Sequence, residues 1–361
     1  MSSMSVQFLE RCLLRAKENA FTTVAILATG FNGNWEHHFS GSYNQTHEKL
    51  MLDCAKDLQT RLQNSLSNAQ PPFEGWSVDL SYACFNCCTS PASYDFLTWL
   101  IIQEMRRVES FSPAPLKVAF WKGHDSSAQL GHRHPMERHE HWIEHVYRPI
   151  LRLIGAVEDE CALDRMGLDA FLTKHVCNMH ALHMPLPKLK PVKDYDLPKG
   201  VITITLREVD DPFFHRNSNI KEWGKFAKWL RDEKGEQVVW VRDTRVAEGT
   251  VSGFDTCPLA STDLDARFWL YQNAKLNCFV SNGPMMLCVF SDFPYIAFVP
   301  PEEEDSDYIA NTPNFWKLKM GVSVGEQFPW AKPSQKIVWT KDTFEAMKTA
   351  YQFVDFAGNL K

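Results

Sequence analysis

The chain has 361 residues, 44% of them apolar and 23% charged, with a formal net charge of −6. That composition excludes a wholly disordered chain and fits two or three globular domains. The acidic balance and the lack of a Lys/Arg-rich block argue against nucleic acid as a partner, because holding a phosphate backbone needs a basic footprint.

The opening stretch, MSSMSVQFLERCLLRAKENAF, lacks a basic region followed by an apolar core. It predicts an amphipathic helix over residues 8–20 and no secretory signal. No run approaches the roughly 20 apolar residues that span a bilayer, so no transmembrane segment is expected; peripheral contact with a membrane stays open. Residues 23–30 form a short apolar run ending in Gly30, as a buried strand entering a loop does. Helical spacing returns over residues 47–62, and residues 78–83 read as a second strand. Pro91, with Ser90 or Ser93 as cap, opens a helix over residues 94–108. Residues 116–121, LKVAFW, form a third strand, and residues 138–154 another helix. Strand alternating with helix predicts a mainly parallel sheet with helical cover. The first lobe is thus assigned to residues 1–160.

Residues 161–199 include HMPLPKLKPVKDYDLPKG and read as the connection between lobes. A second lobe over residues 200–361 follows, with strands expected at 201–206, 237–241, 276–281, 295–300 and 335–339. Helices are expected at 219–232, with Gly235 past its end, at 263–274 with Ser261 or Thr262 as cap, at 284–290 and at 341–353. The last helix is a candidate to pack across the lobes. Such alternation defines a doubly wound unit. The ten Cys lie mostly in apolar contexts such as LNCFV and MMLCVF. They read as buried thiols of a reducing, cytoplasmic setting, not a disulfide framework.

In open α/β sheets ligands sit beyond the carboxyl ends of the strands. The loop after Leu206, REVDDPFFHRNSNI, offers Arg207, Arg216, Asn217, Ser218 and Asn219 ahead of a helix. Free N–H groups and the dipole at a helix start favour phosphate, and Arg216 adds a charge-assisted contact. The structural alternative is that Ser218 or Asn217 caps the helix and Arg216 is solvated. Ser281, Asn282, Gly283 and Pro284 follow another strand at once. Gly283 would let a ligand approach the backbone while Ser281 and Asn282 supply donors; the alternative is a tight Asn-Gly turn. Arg242 and Asp243 offer a base or ribose contact, or an ordinary strand-end pair. Trp330 covers a base or sugar, or packs in a core.

In the first lobe, Gly30 and Gly33 belong to neither a dinucleotide fingerprint nor a P-loop, but their loop can shape an acceptor pocket. His37, His38 or Glu36 would then take a proton from an acceptor hydroxyl. Asp125, with His124 or His132, is a further acid–base set. His141 and His145 are four apart without the zincin pattern, and Cys177-x-x-His180 matches no complete zinc spacing. No metal and no cofactor are expected.

VITITLRE, the RNSN helix start, EQVVWVRDT, DARFWLYQNAKL and CFVSNGPMMLCVF followed by YIAF resemble the nucleotide-sugar lobe of two-lobed GT-B glycosyltransferases, heptosyltransferase-like bacterial sugar transferases above all. The resemblance covers residues 198–353. It implies two Rossmann-like doubly wound lobes facing a central cleft, with donor-site residues at Ser281, Asn282, Gly283 and Pro284 and phosphate contacts at Arg207 and Arg216. The implied activity is metal-independent transfer of a sugar from a nucleoside-diphosphate sugar to a hydroxyl acceptor, in surface glycan synthesis. The first lobe would be the acceptor side; its glycine loop departs from the family's pattern, and no catalytic Asp or Glu carries over. Other readings are a nucleotide-sugar epimerase or hydrolase, or an inactive nucleotide- or protein-binding scaffold.

Overall fold

The structure is a computed structural model. It describes residues 81–88, 90–109, 114–122, 136–162, 172–181, 184–209, 216–251, 253–303 and 311–358. Gly30, Gly33, His37, His38 and Asp125 lie outside these residues, as do the elements expected over residues 8–62.

The first lobe contains β1 (Tyr82–Asn86), α1 (Asp95–Glu109), β2 (Lys117–Trp121), α2 (Met136–Trp142), α3 (Arg148–Ile154) and β3 (Val157–Glu158). The three strands pair in the order β1-β2-β3, all parallel. Of the strand expected over residues 78–83, residues 78–80 lie outside the described residues, and β1 buries Ala83, Cys84 and Phe85. Phe85 anchors an aromatic cluster with Phe96, Trp99 and Tyr147, at ring distances of 4.9, 5.1 and 5.3 Å. The helix expected over residues 138–154 is broken by a π turn at Ile143–Tyr147. Pro149 near the start of α3 has no N–H to give back along the helix, which suits the wider turn there.

The connection is not all coil. α4 (Thr173–Ala181) lies within it and packs on α1 and on a π turn at Trp316–Met320 of the second lobe.

The second lobe runs β4 (Ile202–Thr205), α5 (Ile220–Lys234), β5 (Val238–Val241), the small hairpin β6 (Thr250–Val251) and β7 (Phe254–Asp255), α6 (Pro258–Thr262) and α7 (Leu264–Asn273). It continues with β8 (Leu276–Val280), α8 (Met285–Val289), β9 (Tyr295–Phe298), α9 (Pro313–Phe315), β10 (Gln335–Val338) and α10 (Phe344–Gly358). Its five-stranded sheet has the order β10-β9-β8-β4-β5, parallel throughout. Counted within the lobe this is 2-1-3-4-5, the flavodoxin-like winding, and its direction reverses between β4 and β8. Among the described residues there are thus two α/β units with parallel sheets, as two Rossmann-like lobes require.

Both faces of the second sheet are covered. Ile202, Ile204, Trp240, Cys278 and Phe298 pack with Trp223, Phe226 and Leu230 of α5 and with Met347 and Tyr351 of α10. Side chains of this size contribute about 1.5–3 kcal/mol each when fully buried, so this layer is a large part of the lobe's stability. α10 lies against α5, within the second lobe's own layer. The opposite face, with Val239, Val241, Phe279 and Ala297, opens into a core shared with α7, α8 and first-lobe residues such as Phe85 and Trp99. α7 is buried all round, from Leu264 to Tyr271, and two of those buried residues are charged: Asp265 and Arg267.

The start of α7 is capped by Asp263, whose side chain accepts from Ala266 N–H, and not by Ser261 or Thr262. A carboxylate accepts this bond more strongly than a hydroxyl and also complements the helix dipole. At the outer edge, the Gln327 amide accepts from Ile337 N–H (2.6 Å) and donates to Ile337 C=O (2.9 Å). It imitates a neighbouring strand and blunts the edge against pairing. A groove of about 820 Å³ runs beside this edge, lined by Lys336, Ile337, Trp339, Ala346 and Phe353.

Candidate functional site

The reversal between β4 and β8 leaves a crevice beyond their carboxyl ends, where open sheets bind ligands. Two loops singled out in the sequence leave those strands, and the structure joins them. Arg216, from the loop after β4, donates through Nη2 to the Ser281 carbonyl after β8 (3.0 Å), with Ser281 Oγ at 3.4 Å. The guanidinium spans the switch point.

The loop after β4 is held in shape by its own polar residues. Arg207 N–H donates to Ser218 Oγ (2.9 Å), and Ser218 N–H to the Arg207 carbonyl (3.0 Å). Asn217 accepts from Val209 N–H and donates to its carbonyl, at 3.0 and 2.7 Å. Neither residue caps α5; Asn219 does, accepting from Glu222 N–H at 3.4 Å. The first turn of α5 already has an anion. Asp342 Oδ2 accepts from Asn219 N–H and from Trp223 Nε1, both at 2.8 Å. Burial raises the Asp342 pKa, and those two donors pull it back.

Arg242 forms a bidentate pair with Glu208, at 2.6 and 3.0 Å, tying the ends of β4 and β5 together. The guanidinium is kept charged by that carboxylate. Asp243 accepts from Arg245 N–H and starts a short 3-10 turn. Asn282 accepts from Met285 N–H (3.1 Å), while its Nδ2 is buried without a hydrogen-bond partner among the described residues. Pro284 precedes α8 in helical backbone geometry.

Gly283 is one point where the two lobes touch. A Cβ on it would lie 2.4 Å from Tyr94 Cδ2. Tyr94 comes from the loop after β1, so the carboxyl edges of both sheets meet at this contact. The close approach that glycine permits is made here by a ring of the chain itself. Behind it, Arg267 donates to Tyr94 Oη at 3.2 Å. Tyr94, Arg267 and Asp342 were missed by sequence reasoning. Arg267 carried one signal, a charge amid the apolar residues of DARFWLYQ. Tyr94 and Asp342 act across 173 and 123 positions, and no local pattern marks them.

Trp330 is not brought to this edge. Its Nε1 donates to Val289 C=O (2.8 Å) and its ring stacks with Phe328 and Phe290, below the start of β10. His141 and His145 lie side by side on the α2–α3 surface, ring centroids 4.5 Å apart. Among the described residues no three His, Cys, Asp or Glu side chains converge as a metal site requires. No helix among them is long and apolar enough to cross a membrane.

No family model and no curated protein matches the chain. Similar solved structures include E. coli heptosyltransferase WaaC with ADP, at 11% identity and TM-score 0.43, covering 76% of this chain and 99% of that one. E. coli ADP-heptose LPS heptosyltransferase II is similar at 13% identity and TM-score 0.42, over 77% and 99%. The iron-containing dodecameric glycosyltransferase TibC from enterotoxigenic E. coli follows at 14% and 0.38, over 77% of this chain and 75% of that one. The site above is defined by this chain's own residues.

Proposed function

We propose that this chain is a metal-independent glycosyltransferase that moves a sugar from a nucleoside-diphosphate sugar to a hydroxyl acceptor in the cytoplasm, within surface glycan synthesis. The observation that carries the reading is Arg216 reaching across the switch point to Ser281. This puts a planar cation, suited to paired phosphate contacts, at the crevice where such sheets hold nucleotides.

In this reading the second lobe is the donor side. Arg216, with Arg207 from the same loop, stabilises the charge that grows on the diphosphate as it leaves. Ser281, Asn282, Gly283 and Pro284 line the donor, and the Nδ2 of Asn282 gains an acceptor. Asn217, Ser218, Asn219, Arg242 and Asp243 hold the loops that carry these groups. The first lobe is the acceptor side, where His37, His38 or Asp125 takes the acceptor's proton, in a pocket shaped by Gly30 and Gly33. Closing the lobes excludes water from the reacting centre.

A second reading, a nucleotide- or protein-binding scaffold without activity, is favoured by one observation: the Tyr94 ring already fills the approach to Gly283. Titrating UDP-, GDP-, ADP- and CMP-linked sugars into wild type and Arg216→Ala separates the two. The transferase reading expects at least one donor to bind, Arg216→Ala to weaken it about tenfold or more, a loss of about 1.4 kcal/mol per tenfold, and sugar release when acceptor is present. Binding without turnover supports the scaffold, and no binding of any donor ends the nucleotide reading.

A further inference from the structure

Arg267 is 8% exposed, deep in α7 between Ala266 and Phe268. Its Nε donates to the Ala260 carbonyl (2.6 Å), its Nη2 to the Ser261 carbonyl (3.0 Å) and its Nη1 to Tyr94 Oη (3.2 Å). All three acceptors are neutral. The nearby carboxylates form their ion pairs elsewhere, Asp265 with Arg152 at 2.6 Å and Asp243 with Arg245 at 3.8 Å, and Asp243 supports the Arg267 charge only through space. Among the described residues Arg267 has no ion-pair partner. A guanidinium taken out of water without a contacting counter-charge is costly, and such charges are normally paired. The two carbonyls, at the end of α6, offset part of that cost and fix the plane of the group. The phenol, a weak acceptor, takes the third donor.

That third donor points to the junction of the lobes, where Tyr94 covers Gly283. Gly283 follows Ser281, which holds Arg216. We propose that Arg267 is a receptor for a phosphoryl oxyanion at this junction, and that the Tyr94 hydroxyl holds the place of that oxyanion in the unliganded chain. This rests on reading the switch point as a diphosphate site. Arg216 holds Ser281, and Arg267 holds the Tyr94 ring that covers Gly283; two guanidinium groups flanking this one loop suit a ligand with more than one negative charge better than a single carboxylate. The guanidinium fork matches phosphate geometry. When the oxyanion replaces the phenol, the Tyr94 ring leaves Gly283 and the loop after β1 moves. Donor arrival is thereby coupled to the first lobe.

The test is calorimetric titration of the full chain with inorganic pyrophosphate and with ADP, GDP, UDP and CMP at one fixed ionic strength. Wild type is compared with Arg267→Gln, Arg267→Lys, Tyr94→Phe and Arg216→Ala, each checked for a cooperative melt. Tyr94→Phe removes the competing hydroxyl and is expected to tighten pyrophosphate about fivefold, the worth of one hydrogen bond. Arg267→Gln is expected to weaken it at least about tenfold, with Arg267→Lys in between. If Arg267→Gln does not fold, Tyr94→Phe decides alone. Unchanged affinity in Tyr94→Phe, within about twofold, overturns the proposal. Should a nucleotide bind and respond to Arg216→Ala but not to Tyr94→Phe, the nucleotide reading stands and this one falls. Pyrophosphate binding that responds to Tyr94 and Arg267 without any nucleotide binding keeps the oxyanion receptor and ends the nucleotide reading. No binding of any probe ends both.

Discussion

The first turn of α5 and the Arg267 guanidinium are both positively polarised spots of the second lobe, and they are neutralised differently. The first turn of α5 has orphan N–H groups and the positive end of a dipole, and the chain supplies a carboxylate for it: Asp342 takes Asn219 N–H and Trp223 Nε1. Arg267 has a full charge, yet the chain gives it two carbonyls and a phenol. A spot that holds its own anion has little need of another. A buried cation met only by neutral oxygens is the better place to look for a ligand. The helix start that looks most like a phosphate site in sequence is therefore closed by the fold, and attention moves to the lobe junction.

The sharpest way to break this comparison is to remove the resident anion. Asp342→Ala strands two donors, each costing about 1–3 kcal/mol when left unpaired, so a loss of about 3 kcal/mol is expected in urea denaturation. A loss under about 1 kcal/mol would mean the carboxylate is not satisfying α5. Next in size is Gly283→Ala. Its Cβ would meet the Tyr94 ring at 2.4 Å, and such overpacking costs about 1–3 kcal/mol. The same variant should show Tyr94 displaced, read from amide exchange in the loop after β1; a neutral change in both would show that the lobes are not in contact there.

A smaller effect concerns pH. The Asp342 pKa is raised from 3.8 by burial, so the folded chain holds this proton more tightly than the unfolded chain. Its contribution to stability is full below about 3.8, the ordinary carboxyl value, and is lost as pH rises through the folded value. Asp342→Asn should lack that slope. Denaturation of both proteins between pH 4 and pH 7 checks it; parallel pH profiles would show that Asp342 is not the group responsible.

Much of the second lobe was legible from sequence, because its signals are local. The spacing of Trp223, Phe226, Ala227 and Leu230 gives α5, and Gly235 at φ +67° stops it. The apolar runs around Ile204, Trp240 and Cys278 give buried parallel strands. The loops after β4 and β8 were legible as neighbours through the strand-end rule. What was not legible depends on long-range pairing. Asn217 and Ser218 read from sequence as ligand donors or as helix caps, but their partners are Val209 and Arg207 across the loop mouth. Gly283 looks open to a ligand until Tyr94 arrives from the other lobe. Trp330 could by sequence cover a base or pack in a core, and its ring packs on Phe290 and Phe328.

The central claim is that a nucleoside diphosphate binds where the loops after β4 and β8 meet. Hydrogen–deuterium exchange of the full chain, with and without a saturating nucleoside diphosphate, tests it most directly. The account predicts gained protection in peptides covering Leu206 to Val209 and Ser281 to Met285, with the β10–α10 edge unchanged. Protection confined to that edge, or absent from both loops at saturation, would contradict it.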